Sequence, residues 1–111
     1  MAVLPLNTFR TITRELGTTT LTVYTCPAGV TGIVLLAQVS NTGNDTARVT
    51  FSHVRQRTTT ELVKNSPIPI EDARSVLTGR LVLEEGDRIS VAADANNALK
   101  IVLSIVESAN T

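Results

Sequence analysis

Short runs of alternating apolar and polar residues, each closed by glycine, proline, asparagine or aspartate, cover almost the whole chain. Alternation of period two marks a strand with one face turned inward, so the pattern predicts strands nearly throughout. Helical periodicity is missing, because β-branched residues dominate and Pro or Gly interrupts each stretch within three turns. The first two predicted strands cover 8–16 and 19–25. With Gly17 between them they form either a hairpin or one bent strand. Pro27-Ala28-Gly29 is a turn leading into 32–41, and Asn41-Thr42-Gly43-Asn44-Asp45 reverses the chain into 47–55, which predicts a hairpin. In 47–55, Ala47, Val49, Phe51 and His53 share one face. A short strand is expected at 61–64, and Pro67 and Pro69 make 66–70 an edge or a crossing between sheets. The remaining strands are 74–83 with a bend at Gly79, 88–93 and 99–107. About eight short strands at this spacing predict an all-β fold, an antiparallel β-sandwich of jelly-roll type. An open barrel of the oligonucleotide-binding type is the alternative, but it lacks an aromatic stacking platform.

Two of these strands are apolar on both faces. In 32–41, strict alternation places Ile33, Leu35, Ala37 and Val39 on one face and Val34 and Leu36 on the other. In 99–107, Leu99, Ile101, Leu103 and Ile105 oppose Val102 and Val106. Either a segment of the same chain covers the second face, or a neighbouring subunit does. The second reading makes Val34, Leu36, Val102 and Val106 candidate oligomer-interface residues. Val3, Leu4 and Leu6, around Pro5, join them as a candidate N-terminal arm over 1–7, which docks on a neighbour or is capped by its own domain. The rest, 8–111, is expected to be a single sandwich domain.

Composition narrows the function. Ten basic residues balance ten acidic ones, so no net field draws nucleic acid or an anionic membrane. No apolar run approaches the roughly 18 residues of a spanning helix, and the first residues lack a secretion-signal pattern. The expectation is a soluble protein made in the cytoplasm. A single cysteine, Cys26, excludes an intrachain disulfide.

Candidate chemistry is sparse. One His and one Cys share no catalytic signature. His53, in phase with Phe51 and Val49, reads as a half-buried strand residue with a satisfied imidazole, and Cys26 as a structural thiol. Glu84, Glu85 and Asp87 around Gly86, and Asp94 with Asn96 and Asn97, read as solvated turns lacking the ligand spacing of a calcium loop. No catalytic group, metal or cofactor is expected. Arg48, Arg55 and Arg57 form the one local basic cluster. They are candidate partner contacts, or arginines that keep an edge soluble.

The ordered series Val23-Tyr24-Thr25-Cys26-Pro27-Ala28-Gly29, Val39-Ser40-Asn41, Pro67-Ile68-Pro69 and Leu77-Thr78-Gly79, followed by Leu81-Val82-Leu83-Glu84-Glu85-Gly86-Asp87, spans residues 20–106. It resembles small structural proteins of tailed bacteriophages. That resemblance implies a non-catalytic β-sandwich virion component: a head decoration protein, a collar or neck accessory, or a tail module. It would be made in the host cytoplasm and would contact itself and other virion proteins. A carbohydrate- or receptor-binding module of a tail fibre is the alternative, with Arg48, Arg55 and Arg57 or the Asn96 turn meeting a glycan. Against it stands the 3% aromatic content, since sugar sites stack on aromatic rings.

Overall fold

The computed structural model describes residues 7–110. Nine strands follow one another: β1 (Asn7–Glu15), β2 (Leu21–Thr25), β3 (Val30–Asn41), β4 (Ala47–Arg55), β5 (Thr58–Ile68), β6 (Ala73–Ser75), β7 (Leu81–Leu83), β8 (Arg88–Ala93) and β9 (Leu99–Ala109). They form two packed antiparallel sheets. The first runs β1-β9-β3, with β6 and β7 laid end to end along the far side of β3, and the second runs β2-β8-β4-β5. Counted as one interrupted strand, β6 and β7 complete a nested series in which β4 pairs β5, β3 pairs β6 and β7, β2 pairs β8 and β1 pairs β9. A long hairpin folded over on itself in this way is a jelly roll.

Two sequence expectations about pairing are corrected. β1 and β2 are neither a hairpin nor one bent strand, because they belong to different sheets; the chain changes sheet beyond Leu16. β3 and β4 are likewise in different sheets. The reason lies in Asn41, which is 4% exposed and ties the turn to other segments rather than to its own strands. Its Nδ2 donates to the carbonyls of Asp45 and Ile68, each at 2.8 Å, and its Oδ1 accepts from Gly43 N–H at 2.8 Å. Its own N–H donates to Asp72 O at 2.9 Å, and Thr42 N–H donates to Ala98 O at 2.8 Å. The loop is thereby carried across the end of the sandwich.

A β-bulge between Val34 and Leu36 changes the phase of β3. Before it, Gly32 and Val34 point inward; after it, Ala37, Val39 and Asn41 do. Val34 is fully buried against Ile105 across the ladder, so it belongs to the core and not to an intersubunit contact. Strict alternation misassigned it because one extra residue shifts every position that follows. Opposite the bulge, the predicted strand 74–83 is interrupted. β7 pairs with Gly32, Ile33 and Val34, β6 pairs with Gln38, Val39 and Ser40, and only Val76 N–H bonds to Ala37 O between them. Gly79, at φ +78°, supplies the bend.

The predicted short strand at 61–64 and the first three residues of the extended 66–70 segment merge into the eleven-residue β5, which ends at Ile68. Pro67 is accommodated there because β5 is an edge. Between the sheets Phe51, Val49, Ile89, Ile101, Leu103, Ile105, Val34 and Leu83 are each 0 or 1% exposed, so the core is aliphatic around a single phenylalanine. Of the expected arm, residues 1–6, including Val3, Leu4 and Leu6, lie outside the described residues, and Asn7 already belongs to β1.

Replacing Asn41 by Ala removes three hydrogen bonds from a buried site and orphans two carbonyls. Its expected cost is about 2–4 kcal/mol of unfolding free energy, read as a lowered urea midpoint with an unchanged m-value.

Candidate assembly face

The inner face of the first sheet is apolar, and so is much of its outer face. In an antiparallel ladder, residues directly opposite one another point to the same side. Phe9 of β1 lies opposite Val106 of β9, Val106 opposite Ile33 of β3, and Ile33 opposite Val82 of β7. Because their neighbours Ile105, Val34 and Leu83 are in the core, all four point outward. They form an unbroken apolar row across four strands. Phe9 is 74% exposed and Val82 54%, while Ile33 and Val106, on the two inner strands of the row, are half-buried. The bulge adds to this surface. Leu35 and Leu36, consecutive residues that normal alternation would separate, are both 39% exposed. Val102 lies farther along β9, opposite Gln38 and Thr13.

Leu36, Val102 and Val106 thus share the outer face, with Val34 withdrawn into the core. Phe9, Ile33 and Val82 were missed. Val82 carried a readable signal: Leu81, Val82 and Leu83 are three successive aliphatic residues, and one of them must face outward in a strand. Ile33 could be assigned to this face only with knowledge of the bulge.

The arginines separate. Arg55 is turned toward its own chain, donating from Nε to Asp87 Oδ1 at 2.9 Å and from Nη2 to Asp87 Oδ2 at 2.7 Å, with Glu84 at 3.1 Å. Arg48 Nη1 donates to Asn65 O at 3.0 Å. Arg57 lies exposed in the β4–β5 turn, so the three do not make one basic surface. Asp87 departs from the sequence expectation. Instead of a solvated turn residue it is 1% exposed, and besides Arg55 it meets His53 Nε2 at 3.0 Å and accepts from Glu84 N–H at 2.9 Å. Gly86, at φ +86°, makes the tight turn that points this carboxylate inward. His53 is half-buried, and its imidazole is engaged by Asp87.

A second polar cluster closes the gap between the sheets at the β1 and β2 edges. The Tyr24 hydroxyl donates to Glu107, Arg10 Nη1 donates to the same carboxylate at 3.3 Å, and the Arg10 guanidinium lies 5.8 Å from the Tyr24 ring centre. Burial, then the hydrogen bond to Glu107, pushes the Tyr24 phenol above its ordinary range. Cys26 is buried beside this cluster, and its thiol donates to Val30 O at 3.3 Å. Burial raises its pKa and disfavours the nucleophilic thiolate. Both clusters fasten secondary structure.

The Asp87 network implies a pH dependence. The hydrogen bonds from Arg55, with His53 and Glu84 N–H adding to them, hold its carboxyl well below the usual carboxylate range. A folded-state pKa below the unfolded one gives stability that is complete above about pH 4 and is lost as pH falls below it. Asp87→Asn should be less stable at pH 7, by about 2 kcal/mol, and should lack this part of the acid decline. Urea midpoints of both proteins from pH 7 to pH 2 measure it.

No protein-family model matches the sequence, and no curated protein matches it. Among solved structures, a chain of the acidic stable capsid structure of Helicobacter pylori bacteriophage KHP30 aligns with a TM-score of 0.60 at 12% identity, over 98% of this chain and 92% of that one. Two crystal structures of a pentameric capsid protein isolated from metagenomic phage sequences align at a TM-score of 0.46, with 18% and 19% identity over 96% of this chain. The chain spans 64% and 65% of the length of those two proteins. The two-sheet β-sandwich described above is therefore a fold shared with a chain of a phage capsid structure.

Proposed function

We propose that this chain is an accessory structural protein of a tailed-phage virion, non-catalytic and held in place by protein–protein contacts through the outer face of its first sheet. The observation that carries the reading is the row Phe9, Val106, Ile33 and Val82, extended by Leu36. An apolar strip crossing four strands is a surface that water disfavours and a partner protein stabilises. Two further observations support it: the ordered sequence resemblance to small phage structural proteins, and the fold shared with a chain of the KHP30 capsid. The capsid origin of that chain favours a place on the head, as a decoration or cement protein, over a collar, neck or tail position. The partners are other virion proteins and further copies of this chain, after synthesis in the host cytoplasm. No nucleic acid, membrane or cofactor enters this reading.

Ile33→Asp with Val82→Asp tests it. Both side chains point away from the core, so the circular dichroism spectrum should be kept, while Asp at the half-buried Ile33 lowers the urea midpoint without abolishing cooperative unfolding. The double variant should be lost from purified virions, while antibody against the wild-type chain should label the particle. Wild-type virions without label, or full incorporation of the double variant, would overturn the reading.

A further inference from the structure

Among the described residues the two sheets have unpaired edges at β1, β2, β5 and the β6–β7 line, and three of these are built against strand addition. β2 is five residues long and has a register shift between Thr22 and Tyr24. β5 has two register shifts, Pro67, and Asn65 at φ 50°. β6 and β7 are three residues each, with an interruption between them. Bulges, proline and shortness are how sheet proteins blunt their edges. β1 has none of these. It runs nine residues in unbroken register with β9, without proline or positive φ, and all but Ile12 are exposed.

The free backbone groups of this edge can be assigned. Leu16 N–H donates to Leu99 O, which continues the β1–β9 register by one pair. Hydrogen-bonded and non-hydrogen-bonded pairs alternate in such a ladder, so Arg14, Ile12, Arg10 and Thr8 direct their backbone groups to β9. Asn7, Phe9, Thr11, Thr13 and Glu15 direct theirs to the open side. Among these, Thr13 O accepts from the exposed Arg14 side chain at 3.0 Å, a contact that a strand's N–H would replace.

A second copy of β1 fits this edge in one register. A two-fold axis normal to the sheet keeps outer faces outer, so it must pass through a residue and not between residues. Centred on Arg10 it opposes Arg10 to itself, and centred on Ile12 it opposes Arg10 to Arg14; like charges directly opposite are destabilising. Centred on Thr11 it opposes Thr8 to Arg14, Arg10 to Ile12, Phe9 to Thr13 and Asn7 to Glu15, with no like charges facing. It also engages all five open-side residues. We infer that two copies of this chain associate by antiparallel pairing of β1 with β1 about an axis through Thr11, which joins their first sheets into one. This goes beyond the virion reading and does not depend on it. The two outer apolar rows would then lie on one side of the joined sheet.

Chemical crosslinking and sedimentation test it. Wild-type protein should sediment at twice the 11.9 kDa chain mass. Thr11→Pro removes only an open-side N–H and should give the single-chain mass with an unchanged circular dichroism spectrum. Thr11→Cys, with Cys26 buried, should yield crosslinked pairs with a bis-maleimide shorter than about 10 Å. Thr13→Cys should yield at least about tenfold fewer, because its two copies lie four residues apart along the strands, roughly 14 Å. The Ile33→Asp and Val82→Asp double variant should keep the pair, which separates this contact from the assembly face. A wild-type monomer, equal yields from the two cysteine variants, or pairing that survives Thr11→Pro but not the double variant would each overturn the inference.

Discussion

The extra residue that β3 carries between Val34 and Leu36 governs the rest of the first sheet. β3 is paired on both sides, so the bulge cannot be absorbed at an edge. On one side β9 continues past it with a register shift. On the other the opposing strand is broken into β6 and β7, and Val76 turns in to fill the interior beside the gap. The same residue inverts the phase of the apolar pattern. Val34 joins Ala37 and Val39 in the core, while Leu35 and Leu36 are both left outside. One irregularity therefore completes the interior and enlarges the exposed apolar surface.

The sandwich is closed by three buried or half-buried polar fasteners. Asn41 holds the crossing from β3 to β4, Asp87 holds the turn before β8 against β4, and Glu107 draws Tyr24 of one sheet and Arg10 of the other together. Each satisfies backbone or charged groups that the strands cannot satisfy at their ends. Every buried side-chain polar atom among the described residues has a partner. Specificity at these ends comes from hydrogen bonds, whereas the interior is held by aliphatic packing. The residues that first invite a catalytic interpretation, His53, Cys26 and the acidic turn, are occupied in this closure.

Local pattern was legible and long-range pairing was not. β4 and β8 begin and end where alternation placed them, and the all-β sandwich followed from β-branched content and turn spacing. His53 was legible as a satisfied strand residue because its phase with Val49 and Phe51 is local. Whether a turn closes a hairpin or crosses between sheets depends on partners distant in sequence. For Asn41 those are Ile68 and Asp72, and for its neighbour Thr42 the partner is Ala98. The burial of Asp87 was hidden for the same reason, since Arg55 and His53 lie more than thirty residues away. Of the interface candidates, Leu36, Val102 and Val106 lie on the outer face and Val34 does not, and the bulge that decides between them has no glycine or proline to announce it.

The nesting of strands has a consequence for biogenesis. β1 is made long before its ladder partner β9, and β2 must likewise wait for β8. Emerging polypeptide cannot close either sheet until almost all of the described sequence has been translated, and such non-local closure is slow. Folding of this domain therefore waits on its last strands, whatever forms earlier. The apolar side chains that later form its interior remain open to chaperones, or to misfolding, until β8 and β9 have emerged.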